Sequence, residues 1–61
     1  MKPSIIIWHS ILSGLYGVTV RDENNQKIES LSTEATMTHD EARAYALVVK
    51  ADHLPTAVIE E

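Results

Sequence analysis

The histidines and the carboxylates are the side chains of this chain that could hold a metal ion or catalyse a reaction. The three histidines, His9, His39 and His53, show no H-x-x-x-H or related spacing, and the chain contains no cysteine. A metal site needs ligands that converge at a defined spacing. His9 also lies in an apolar run, where a hydrogen-bonded strand residue is more common than a ligand. The sequence therefore predicts no metal site and no cofactor.

Nuclease chemistry would require several carboxylates that converge on a pair of metal ions. The candidates are Asp22 at the end of a predicted strand, and Glu34, Asp40 or Glu41 near the start of a predicted helix. None of them falls inside a strand at the centre of the predicted sheet, where such a site would be anchored. We therefore predict that the protein is not an enzyme.

The charge of the chain favours a basic protein as the partner. Nine acidic residues against five basic ones give a formal net charge of -4. Four of the acids, Asp40, Glu41, Glu60 and Glu61, fall on the predicted helix start and the tail. The basic residues are scattered and form no stripe that could follow phosphates, so direct nucleic-acid binding is not expected. The same net charge also suits a soluble protein with no such partner.

The first predicted strand is apolar on both faces. "SIIIWHSIL", residues 4–12, is rich in the β-branched residues that favour strands. Alternation places Ile5 and Ile7 on one face, and Ile6 and Trp8 on the other, which predicts a central strand. His9 interrupts the run, which is too short to span a bilayer and is followed by no leader-peptide cleavage pattern. We therefore expect a cytoplasmic protein without a membrane contact.

Two further strands and a helix follow along the chain. The second strand, residues 15–21, places Tyr16, Val18 and Val20 on one face, and a weaker third strand is predicted at residues 27–32. "MTHDE" predicts a helix start, because Thr38 as N-cap and Glu41 three residues later form a capping box. The apolar stripe of the helix is predicted from Ala42, Tyr45, Ala46 and Val49, with Val48 widening it. The last strand is predicted at residues 56–60.

These elements predict an α+β fold of order β-β-β-α-β, with residues 1–61 forming one small domain. Three strands form an antiparallel meander, one helix packs on one face of the sheet, and a short last strand pairs parallel beside the first. The other face of the sheet stays uncovered and is a candidate binding surface. A chain of 61 residues buries too little surface to be very stable alone, and it has no cysteine for disulfides. Self-association is another source of stability, which favours a homo-oligomer.

Trp8 has two possible places in this fold. One of two pairs must face away from the helix: Ile5 with Ile7, or Ile6 with Trp8. The strand register decides between the two pairs, and the sequence does not fix that register. A core position for Trp8 is slightly favoured over an interface position. If Trp8 is in an interface, it is a candidate hot spot for a partner. The candidate partner-binding residues are Ile6, Trp8, Asp40, Glu41, Glu60 and Glu61.

Several stretches resemble HicB-like antitoxin domains. "GLYGVTVRD", residues 14–22, is similar to a Gly-x-Tyr-Gly-Val-Thr-Val strand that leads to a Pro-Asp pair in that family. "SIIIWH" matches the apolar first strand of the family, and "THDEA" matches its Thr-x-x-Glu-Ala helix start. The order of elements also agrees, so the resemblance extends over residues 4–60. It implies a partial RNase H fold without the active site, in a module that inhibits a protein by sequestering it.

The sequence departs from the family in two ways. Arg21 stands where the family has proline, and "ENNQK" replaces the family's Leu-Pro-Gly-Cys continuation. The family commonly carries a C-terminal DNA-binding module, which we do not expect here. The partner would be basic, and either toxin-like or nucleic-acid-binding. The alternative is a small acidic phage-encoded inhibitor of a host nucleic-acid-handling or defence protein, an anti-CRISPR-like protein whose carboxylates imitate phosphates.

Overall fold

The computed structural model describes residues 2–61, and Met1 lies outside the described residues. Three strands come first: β1 (Ser4–His9), β2 (Tyr16–Arg21) and β3 (Thr33–Met37). The helix α1 (His39–Asp52) and the short strand β4 (Val58–Glu60) follow. The four strands form one sheet of order β3-β2-β1-β4, in which β1 pairs antiparallel with β2 and parallel with β4. The predicted α+β fold and the central position of β1 are confirmed.

The pairing of β1 with β2 decides which side chains enter the core. Ile5 lies opposite Val20 and Ile7 opposite Val18, and these four side chains are buried on the face that α1 covers. Ile6 and Trp8 consequently point to the other face. The slight preference for Trp8 in the core beneath the helix was therefore wrong. The core is completed by Ala42, Ala46, Val49 and Ala57.

The helix approaches the sheet through small side chains. Ala42, Ala46 and Val49 are buried against β1 and β2, and alanine lets the helix backbone lie close to the strands. Tyr45 is half-buried, and its hydroxyl donates a hydrogen bond to the backbone oxygen of Leu31. The prediction that Val48 widens this apolar stripe is wrong. Its side chain is 55% exposed, because its position in the helical period turns it away from the sheet.

The third strand begins later than the predicted residues 27–32. Ile28 N–H donates to Val20 O at 2.7 Å, and the chain then turns, with Ser32 N–H donating to Ile28 O at 3.1 Å. This turn lets the side chains of Ile28 and Leu31 both pack against the core despite their opposite parity. The strand itself, Thr33–Met37, pairs with β2 through an irregular register between Tyr16 and Val18.

The first strand is shorter than the predicted residues 4–12. It ends at His9, and Ser10 N–H donates to Leu15 O at 2.9 Å, which closes a hairpin loop. Gly14 takes a φ of 73° in this loop, a conformation that glycine adopts without a steric penalty. Ile11 and Leu12 are almost fully exposed at the loop tip. The apolar run therefore divides into a buried strand and an exposed turn.

The helix begins at the predicted capping box. Glu41 N–H donates to Thr38 Oγ1 at 3.3 Å, and Thr38 N–H donates to Glu41 Oε1 at 2.9 Å. These two bonds satisfy two backbone donors that helix geometry leaves without partners. α1, the helix of the described chain, lacks the length and hydropathy to cross a lipid bilayer.

We expect Thr38→Ala to lower the free energy of unfolding by about 1 kcal/mol, because it removes the side-chain half of the cap. Urea unfolding followed by circular dichroism measures this loss. Thr36→Ala is the matched control, since Thr36 is exposed and lies outside the cap. Equal stability losses in the two variants would contradict a capping role for Thr38.

Candidate functional site

The face of the sheet opposite α1 carries the candidate site. We call it the helix-free face and define it by Ile6, Trp8, Gly17, Thr19 and Val58. The register joins these residues across three strands, with Ile6 opposite Thr19, Trp8 opposite Gly17, and Val58 beside Ser4. Within residues 2–61, no helix packs on this face. The side chains of Trp8 and Val58 are 37% and 47% exposed.

Trp8 is held against the backbone of the neighbouring strand. A Cβ atom built on Gly17 would lie no more than 3.0 Å from three atoms of the indole ring. Because glycine has no side chain, the ring covers β2 at this point, and Gly17 is buried beneath it. The indole therefore has a defined position while it still presents apolar surface to solvent. A fixed aromatic side chain loses little conformational entropy when a partner binds.

The four acidic candidate residues do not form one surface. Glu60 lies beside Ile6 in the parallel pairing, so it borders the helix-free face. Asp40 is exposed in the first turn of α1, where Glu41 is used in the capping box. Glu61 lies on the helix side of the sheet and contacts His39. Only Glu60 thus joins Ile6 and Trp8 at one site.

A row of aromatic rings at one end of the domain was not predicted from the sequence. The rings of His9 and Tyr16 lie 4.6 Å apart, and those of Tyr16 and His39 lie 4.9 Å apart. His39 Nε2 is 2.7 Å from Glu61 Oε1, and Arg43 Nε is 3.7 Å from Glu61 Oε2. These contacts join the hairpin, the helix start and the tail. The one sequence signal for this row of rings is the pairing of His9 with Tyr16 across two neighbouring strands. That pairing cannot be recognised until the strand register is known.

Two of the carboxylates considered for nuclease chemistry have structural roles, because Glu41 belongs to the capping box and Asp22 stabilises a turn. Asp22 Oδ1 accepts hydrogen bonds from Asn24 N–H and Gln26 N–H, both at 2.9 Å, and so stabilises the turn after β2. Asn25 takes a φ of 65° in this turn, which asparagine tolerates. Across the described residues, no three histidine or acidic side chains are grouped so that they could hold a metal ion.

A small cleft lies on the helix side of the sheet, between α1 and β4. Its volume is about 220 Å³, and its lining combines apolar side chains with one cation and one anion. Leu47 stands at its helix wall with 58% of its surface exposed. The cleft and the helix-free face are therefore on opposite sides of the sheet. The lining residues are Ile7, Arg43, Leu47, Ile59 and Glu61.

Comparison of the chain with protein-family models, curated protein sequences and solved structures finds no match. The fold and the site thus define a small α+β domain with a single helix-covered face and an exposed tryptophan on the other. The similarity to HicB-like domains stays a prediction from the sequence.

Gly17→Ala tests the position of the indole. The new methyl group would collide with the ring, and because Trp8 is at the surface, we expect the ring to swing outward while the fold is kept. The fluorescence maximum of this single tryptophan should shift to longer wavelength, with a stability loss of about 1–3 kcal/mol. Thr19→Ala, on the same face of the same strand, should leave the emission maximum unchanged. An unshifted spectrum in Gly17→Ala would show that the indole does not lie over β2.

Proposed function

We propose that this protein is a non-enzymatic interaction domain that sequesters a protein partner through its helix-free face, as an inhibitor of the HicB-like type. The observation that carries this proposal is Trp8, held over Gly17 on a sheet face that α1 does not cover.

The composition of the helix-free face supports a protein ligand. Ile6, Trp8 and Val58 provide apolar surface, and tryptophan is among the residues most enriched at binding hot spots. Ile6 and Trp8 lie on β1, which pairs with β2 along its whole length and with β4 as far as Ile6. The indole of Trp8 is in addition held over Gly17. An apolar surface that is fixed in this way requires little reorganisation on binding.

The rim of the same face supports a basic partner. Glu60 lies next to Ile6, and the chain carries a net charge of -4. Opposite charges at the edge of an interface mainly speed association and select among partners. A basic protein, either toxin-like or nucleic-acid-binding, fits this arrangement. We also propose a cytoplasmic location, which the lack of cysteine fits.

Trp8→Ala should weaken partner binding. The partner is first isolated with the tagged wild-type chain, and dissociation constants are then measured with the purified proteins. We expect an affinity loss of at least about 30-fold, as for a central tryptophan hot spot. The emission of Trp8 in the wild-type chain should also shift to shorter wavelength when the partner binds.

Leu12→Ala is the matched control for this experiment. It also removes a large exposed apolar side chain, but from the hairpin tip. Retained binding in Leu12→Ala and lost binding in Trp8→Ala would support the proposal. The opposite pattern would move the binding site to the hairpin tip. Circular dichroism of both variants checks that they fold.

A second candidate function is inhibition by imitation of nucleic acid. Asp40 and Glu60 favour it, because both are exposed and neither makes an ion pair within residues 2–61. Glu41 and Glu61 are less suited, since Glu41 belongs to the cap and Glu61 contacts His39 and Arg43. Asp40 and Glu60 are thus the two of these four acids that can be changed without loss of a described contact.

The double variant Asp40→Lys, Glu60→Lys separates the two functions. If the carboxylates imitate phosphates, we expect the variant to lose nearly all binding and the wild type to show a strong dependence on salt. If the helix-free face carries the affinity, binding should fall by no more than about tenfold, mostly through slower association. Surface plasmon resonance at several salt concentrations distinguishes these results.

A further inference from the structure

Strand β4 has an unpaired edge, and its backbone geometry shows which residue points there. Val58 N–H donates to Pro3 O at 2.9 Å, so the backbone groups of Val58 point towards β1. Successive residues of a strand point their backbone groups to opposite sides. The N–H and C=O of Ile59 therefore point away from β1. Within residues 2–61, no strand pairs with this side of β4.

The other edge of the sheet is less suited to pairing. β3 has an irregular register with β2, and the hydroxyl groups of Ser32 and Thr33 accept hydrogen bonds from Val20 N–H and Val18 N–H. Bulges and charged side chains are devices that discourage edge pairing. β4 is only three residues long and carries Glu60, but it contains no bulge and no proline. It is the regular edge of this sheet.

The cleft beside β4 adds an apolar surface to this edge. Ile59 and Leu47 both line it, so Leu47 projects over the helix side of the strand edge. Leu47 is 58% exposed there and so presents apolar surface beside the edge. Arg43 and Glu61, one cation and one anion, lie at the same cleft. On the helix side of the edge a second copy would therefore meet one charge of each sign, while Glu60 lies on the opposite face of the strand.

We propose that β4 pairs antiparallel with β4 of a second copy, around a two-fold axis at Ile59. In this pairing the two Ile59 residues exchange both N–H···O bonds, as a hydrogen-bonded antiparallel pair does. Val58 of each copy lies opposite Glu60 of the other. The sheet becomes continuous across the dimer, and the two clefts join so that the Leu47 side chains meet near the axis.

The choice of Ile59 as the axis follows from charge and hydrogen bonding. An axis at Glu60 would place two carboxylates opposite each other. An axis at Val58 would need Ala57 N–H as a donor, and that group already donates to Leu54 O at 2.9 Å. An axis at Ile59 avoids both problems. An isologous contact of this kind closes as a dimer and does not extend further.

This dimer uses the edge of β4, so Val58 and Glu60 at the margin of the helix-free face lie at the seam, while Ile6 and Trp8 stay uncovered for the partner of the proposed function. A strand of three residues with one leucine gives a small interface. We therefore expect a dissociation constant on the order of micromolar.

Sedimentation equilibrium with matched helix variants tests the proposal. The wild type should reach twice the 6.8 kDa chain mass at concentrations on the order of 100 µM. Leu47→Glu places two like charges near the axis and should raise the dissociation constant at least about tenfold. Val48→Glu is the matched control, since Val48 is 55% exposed on the other flank of the same helix. It should dimerise as the wild type does.

Hydrogen exchange of the Ile59 amide provides a second measurement. In the dimer this N–H has an acceptor, so we expect its exchange to slow as protein concentration rises. A monomeric wild type whose Ile59 amide exchanges without protection would overturn the proposal. A dimer that survives Leu47→Glu, or that is lost in Val48→Glu, would also overturn it.

Trp8→Ala separates this proposal from the proposed function. A dimer lost in Trp8→Ala would place self-association on the helix-free face and contradict pairing through β4. A Trp8→Ala chain that dimerises and binds its partner normally would contradict the proposed function alone.

Discussion

The register between β1 and β2 is the constraint on which both faces of the domain depend. Pairing of Ile5 with Val20 and of Ile7 with Val18 gives one face four buried aliphatic side chains, and α1 covers them. The same register places Trp8 opposite Gly17 on the other face. A shift by one residue would exchange the two sets, placing a tryptophan under the helix and two isoleucines in solvent. Because its small alanines let α1 lie close to the sheet, an indole would not fit beneath the helix. The packing of the helix and the strand register therefore favour the same arrangement.

The part of the fold that could be predicted depends on local signals. The capping box of Thr38 and Glu41 was confirmed because N-cap bonds involve residues three apart in sequence. The central position of β1 was predicted from its apolar residues on both faces and was confirmed, since β2 and β4 pair with its two edges. The third strand was misplaced because Ile28 and Leu31 pack on the core from a turn. A turn can bury apolar side chains without any strand periodicity.

The candidate site was predicted only in part for a related reason. Ile6 and Trp8 could be named as a pair from their alternation, but the face that they share required the register. Strand alternation already separates Glu60 from Glu61, but which of them lies on the helix side required the register of β4 with β1. Glu61 reaches His39 and Arg43 on one side of the sheet, and Glu60 borders the other side. Neighbouring residues on a strand necessarily serve opposite faces.

The parallel pairing of β1 and β4 has a consequence for how the chain folds. The bond between Val58 N–H and Pro3 O joins segments from opposite ends of the described chain, so a long loop must close before it forms. The β1–β2 hairpin closes a much shorter loop and should form early. Until α1 and β4 arrive, β1 presents a bare edge with three successive isoleucines. An unpaired apolar edge of this kind favours aggregation, so the late pairing of β4 also protects β1.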